Sequence, residues 1–127
     1  MAFTHSVGTT YKNDAGTLAS VNASYTGNNE NDLSVSVAAS TTLEEHDIAV
    51  TLSKIKSLAI YSDQAVVLKT NSGTSPADTL SLAAKQLIVW TNDMLTAKPF
   101  STDVTKVFIT NSGLNAASVQ IRILETV

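Results

Sequence analysis

Leu33-Ser34-Val35-Ser36-Val37 decides the fold class, because apolar and polar residues alternate strictly along it. That is the period of a strand with one face in a core and the other in water. The pattern returns near the C-terminus as Val119-Gln120-Ile121-Arg122-Ile123. Further runs rich in β-branched residues place strands at 47–52, 58–62, 65–70, 79–83, 86–91 and 106–110, with a longer, weaker one from Leu18 to Tyr25 and a short opening one at 3–7. Turn-forming segments separate them, among them Thr26-Gly27-Asn28-Asn29 and Ser62-Asp63-Gln64. Helix is confined to single turns: one at 53–58, with Ser53 as N-cap and Ile55 and Leu58 pointing inward, and one at 101–104 after Pro99. Short strands at such spacing predict an all-β protein, an antiparallel β-sandwich or barrel of about 8–10 short strands.

Val67-Leu68-Lys69-Thr70-Asn71-Ser72-Gly73 reappears as Val107-Phe108-Ile109-Thr110-Asn111-Ser112-Gly113. Each copy reads as a β-hairpin turned at Asn-Ser-Gly, with the glycine free to take positive φ. Two hairpins of like construction predict equivalent positions in two facing sheets, which makes the sandwich jelly-roll-like. The alternative is convergence on a common turn sequence.

The 127 residues, 43 % of them hydrophobic, suffice for a single domain spanning 1–127 with one core. Residues 1–12, polar and lightly charged, form an N-terminal arm or edge strand in this reading, one that docks on a larger assembly. Charged residues are only 15 %, the net charge is -3, and Lys54 and Lys56 are the only lysines close together. No nucleic-acid patch emerges, since phosphate contacts need clustered Lys and Arg. With no cysteine, disulfides, zinc fingers and thiol catalysis fall away together. A membrane partner is not expected either, since a spanning helix needs about 20 consecutive apolar residues. The start of the chain lacks the basic and apolar regions of a secretory signal.

Leu43-Glu44-Glu45-His46-Asp47 is the one dense cluster of potential metal ligands. On an extended segment Glu44 and His46 face one side and Glu45 and Asp47 the other, so the cluster reads as a solvated connection entering the strand at Asp47. A Ser/His/acid set drawn on His5 or His46 has no local sequence signature, and phosphate-cradling glycine loops are absent. The loop residues Asp63, Asp78 and Asp103 read as turn formers. The inventory points away from an enzyme, and no cofactor is expected.

A different signal comes from apolar groups outside the strands. The connection at 94–100 holds Met94, Leu95, Pro99 and Phe100 with few charges. Apolar side chains on a loop fold back over a sheet or meet a partner, and these four, with Phe3 and Trp90, are the candidate interface residues. Trp90 fills a core or a subunit contact, or stacks on a sugar ring. A charge-poor surface of hydroxyls and small apolar groups is cheap to desolvate, which favours a binding or assembly module.

Several stretches resemble small structural proteins of tailed bacteriophages: Ser62-Asp63-Gln64 through Leu68-Lys69-Thr70-Asn71-Ser72, Pro76-Ala77-Asp78-Thr79-Leu80-Ser81-Leu82, Gln86-Leu87-Ile88-Val89-Trp90, Pro99-Phe100-Ser101-Thr102-Asp103-Val104-Thr105-Lys106 and Val119-Gln120-Ile121-Arg122-Ile123-Leu124. The likeness covers roughly the C-terminal half and is one of general texture. It implies a jelly-roll decoration (cement) protein on the capsid exterior, made in the host cytoplasm. The partner implied is the major capsid protein, whose adjacent subunits a homo-oligomer, in this reading a trimer, would bridge. It names no contact positions. The alternative function is a carbohydrate- or receptor-binding β-sandwich of a phage tail or similar adhesin, with Trp90, Tyr11, Tyr25 and Tyr61 as stacking surfaces.

Overall fold

Ten strands follow one another along the chain: β1 (Phe3–Asn13), β2 (Gly16–Gly27), β3 (Asn29–Val37), β4 (Thr41–Val50), β5 (Ile55–Ser62), β6 (Val66–Thr70), β7 (Thr79–Leu82), β8 (Gln86–Thr91), β9 (Val104–Asn111) and β10 (Ala117–Glu125). The structure is a computed structural model and describes residues 2–126. Met1, the first residue of the expected arm, and Val127 lie outside the described residues.

Eight strands build two antiparallel sheets, β3-β10-β5-β8 and β4-β9-β6-β7. Their pairing is nested: β3 with β10, β4 with β9, β5 with β8 and β6 with β7. The chain is therefore one long antiparallel ribbon, doubled back at 71–78 and rolled up so that its four segments alternate between facing sheets. The contacts β5–β10 and β6–β9 close the roll. The result is a jelly roll, a form of the antiparallel β-sandwich expected from the strand spacing. Inward-facing side chains of both sheets fill the core, with Leu58, Ile60, Leu68, Val107, Ile109, Val119, Ile121 and Ile123 at most 1 % exposed.

The ends of the roll are tied by buried polar groups, and among the described residues no buried side-chain nitrogen or oxygen lacks a partner. Asn111, fully buried, donates from its amide to the carbonyls of Val37, Ala38 and Asn115 and accepts from the Gly113 amide. At the other end Glu125, 2 % exposed, accepts from the side-chain amides of Asn29 and Asn31 and from the Thr51 backbone. Asp63, Asp78 and Asp103 act in the same way, accepting from the backbone of Ser118, Ser101 and Leu52. They tie one connection to another across the fold, a longer reach than the turn-forming role expected of them.

Four sequence expectations need correction. The segment Leu43 to Asp47 is not a connection: it lies inside β4, which starts at Thr41. The turn at 53–58 shrinks to a 3-10 turn at Leu52–Lys54, and Ile55 and Leu58 are buried on β5. No helix forms at 101–104, where the chain bends and enters β9. Finally, only the first Asn-Ser-Gly segment closes a hairpin, β6–β7. The second carries the chain from β9 in one sheet to β10 in the other. The two copies of the repeated sequence are thus neighbours in a single sheet, Leu68 opposite Ile109, and not counterparts in facing sheets. The shared turn sequence does not even impose one local backbone, for Asn71 is left-handed at φ 67° whereas Asn111 still belongs to β9, and the sheet to which the next strand belongs is set by long-range pairing.

Strands β1 and β2 form a separate two-stranded hairpin. The turn between them is held by the Ala15 amide on the Asn13 side chain and by Gly16 at φ 117°, a conformation other residues rarely adopt.

Candidate functional site

Alternation divides the hairpin into two faces. His5 lies opposite Tyr25, Val7 opposite Ala23, Thr9 opposite Val21 and Tyr11 opposite Ala19, which puts the apolar residues together. Ser6 opposite Ser24 and Thr10 opposite Ser20 give the reverse face its hydroxyls, paired at 3.4 and 2.9 Å. The first half of the apolar face packs over the outer surface of the sheet β3-β10-β5-β8. Gly27 permits the approach: a Cβ there would stand 2.4 Å from the Glu125 carbonyl oxygen and 3.0 Å from Leu124. Lys56 then holds the Thr26 carbonyl at 2.8 Å, and the Tyr25 hydroxyl donates to Thr91 on β8 at 3.2 Å. From Gly8 to Asn22 every residue is exposed; Thr9 and Val21 still border a small groove with Asp93 and Met94, and the hairpin projects past them.

His5 is the chemical centre of the contact. Its Nε2 lies 2.8 Å from Glu30 Oε2 and its Nδ1 lies 3.2 Å from Ser57 Oγ, which joins β1, β3 and β5. With the proton on Nε2, the ring donates to the carboxylate and accepts from the hydroxyl. The hairpin covers Ser57, leaving it 2 % exposed on what would otherwise be a wet face. Strand β5 is flanked on both sides, Ser57 lying opposite Leu124 and Thr91, so its backbone is committed to two ladders. Beside this relay a groove of about 500 Å³ runs between β1 and the sheet. Glu30, Asp32 and Arg122 line its polar part, while Val7, Leu87 and Val89 line its apolar part.

The acidic run on β4 behaves as alternation predicts. Glu44 and His46 share one side and meet at 2.7 Å, whereas Glu45 and Asp47 share the other and both engage Lys106 on β9, at 3.2 and 3.3 Å. The two carboxylates, Glu45 first, raise the Lys106 pKa above its ordinary 10.5. Among the described residues no group of three or more His, Cys, Asp or Glu is gathered to hold a metal.

The six candidate interface residues fall in different places. Phe3 is half-buried at the hairpin root. Met94 packs against the core, and Pro99 is half-buried. Leu95 is fully exposed. Trp90 and Phe100, at 7 and 3 % exposed, belong to the chain's own core, which is one of the places the sequence left open for Trp90 and the fold-back alternative for Phe100. The connection at 92–103 folds back over the end of the roll, bringing the Trp90 indole N–H to the Thr96 carbonyl at 2.9 Å. Lys98 sits 5.2 Å from the Trp90 ring centroid and donates to the Leu52 carbonyl. Trp90 therefore offers no free face to a sugar.

Sequence reasoning missed the hairpin as a unit and, with it, the surface that stands open. The signal was present: the weak strand around Leu18 to Tyr25 and the opening strand at 3–7 are separated by Asn13-Asp14-Ala15-Gly16, a turn sequence. No family model, no curated protein and no solved structure matches this chain.

Proposed function

We propose that this chain is a structural virion protein that binds the outside of a phage capsid and stabilises the shell by bridging major capsid subunits. One observation carries the reading: the roll bears a projecting, nearly uncharged hairpin whose second half is exposed on both faces. Burying hydroxyls and small apolar groups costs far less than burying ions, so such a surface is suited to being covered by other polypeptide. The groups able to do chemistry support the same reading, because each holds the fold together. The Ser57–His5–Glu30 relay fastens the hairpin to the sheet, and the strand under Ser57 has no spare amide to stabilise an oxyanion. A carbohydrate-binding reading loses its main stacking platform with Trp90 in the core.

Stabilisation would come from apolar area, about 25 cal/mol per Å² removed from water, repeated over many copies. Mixing the purified protein with undecorated capsids should raise their melting temperature. Failure to bind at micromolar protein would overturn the proposal.

A further inference from the structure

We infer that the apolar face of the second half of the hairpin is a self-association surface, covered by the same face of a second copy of this chain. The face is built from Thr9, Tyr11, Ala19 and Val21, and Leu18, the unpaired residue of the bulge between Tyr11 and Lys12, lies at its end. Tyr11, Leu18 and Val21 are 65, 80 and 57 % exposed. A lone two-stranded ribbon is marginal in water, so a hairpin that overshoots its own sheet gains from a cover.

Three features favour a second copy as that cover. First, the surface is uneven in a way a second copy can match: large Tyr11 stands directly opposite small Ala19, so a knob lies beside a hollow. A symmetric contact requires a patch that fits itself. Second, the exposed part of the hairpin carries only Lys12 and Asp14 as charges, which cancel, in a chain of net charge -3. Two copies meeting here escape the repulsion they would meet elsewhere, while a charged partner finds nothing to pair with. Third, the area suffices, because two such faces closing on each other, directly or around a three-fold axis, would bury about 1,000 Å², where specific association begins. The inference does not depend on the capsid reading, since it concerns only the isolated chain.

Sedimentation of the purified protein at micromolar concentration should give a dimer or trimer. The triple substitution Tyr11→Thr, Leu18→Thr and Val21→Thr keeps strand propensity and removes the apolar face; it should shift the protein to monomer and raise the dissociation constant at least tenfold. Leu95→Ser and Leu114→Ser, exposed apolar sites off the hairpin, should leave association unchanged. Because the chain has no cysteine, Ala19→Cys alone should give a covalent dimer with a short bis-maleimide, and Thr10→Cys on the hydroxyl face should not. That readout stands even if the triple variant folds poorly. A wild-type monomer, or association indifferent to the triple variant, would overturn the inference. So would a monomer whose capsid binding is lost in the triple variant, since the shell would then be what covers this face.

Discussion

Strands β10 and β2 both lie in antiparallel ladders with a single register shift each, yet they live in different surroundings. Six of the nine residues of β10 are buried, whereas only Gly27 of the twelve in β2 is. β10 lies between β3 and β5 and under the facing sheet, while β2 has β1 on one side and, beyond Ala23, only exposed residues. A backbone hydrogen bond in water replaces one to solvent and adds little net free energy. The ladder therefore sets the shape of both elements, and cover sets their worth.

The largest expected effect lies on the covered side. Leu58→Ala removes a side chain 1 % exposed in the centre of the core and should cost about 3–4 kcal/mol in denaturant unfolding. Val21→Thr on the hairpin, measured at a concentration where the chain is monomeric, should change stability by less than about 0.5 kcal/mol. A hairpin substitution as costly as the core one would break the comparison, for the arm would then belong to the cooperative fold.

The repeated sequence sharpens the point, because its two asparagines are equivalent in sequence but differ in backbone and in surroundings. Asn111 is fully buried and holds three carbonyls, so Asn111→Ala should cost about 2–4 kcal/mol by leaving them without donors. Asn71 makes comparable bonds, to the Asp103 carbonyl at 2.8 Å and from the Thr105 amide at 2.9 Å, but water can replace them. Asn71→Gly, which keeps the left-handed backbone at φ 67°, should cost about 1 kcal/mol. Equal losses would show that sequence likeness, and not burial, governs the pair.

The same distinction explains what could be read in the chain beforehand. Alternation in Leu33–Val37 and Val119–Ile123 reports a face in contact with a core, and the core-forming strands were accordingly legible, as was the sandwich they build. The side-by-side arrangement of Glu44 with His46 and of Glu45 with Asp47 followed from the same period. Trp90 and Phe100 stay undecided between core and interface in the sequence, because an apolar residue near a long connection has the same signature whether a partner covers it or its own loop does. Here the fold-back of 92–103 is fixed by contacts between distant segments, such as Lys98 on the Leu52 carbonyl, which no local pattern encodes. The hairpin's projection was invisible for a related reason. Alternation continues along β1 and β2 past the last covered residue, and nothing in the pattern marks where the sheet beneath it ends.

The smallest effect falls within the roll itself, on Lys106 between Glu45 and Asp47. These groups sit on the wet side of β4 and β9, so membership of the roll should not rescue them. Both carboxylates favour the charged ammonium, and the folded pKa lies above 10.5. The folded state thus holds its proton more tightly than the unfolded one, and the stability gained is fully present below the unfolded pKa. It is lost as the pH rises through the folded value. Urea midpoints for the wild type and Lys106→Met should therefore differ slightly at about pH 9 and converge as the pH rises through the folded pKa of Lys106. Added salt should narrow the gap at the lower pH, because exposed charges are screened. A gap that widened with pH would mean that the ammonium is not held by these carboxylates. A gap as large as that of Leu58→Ala would remove burial as the quantity that separates the roll from its arm.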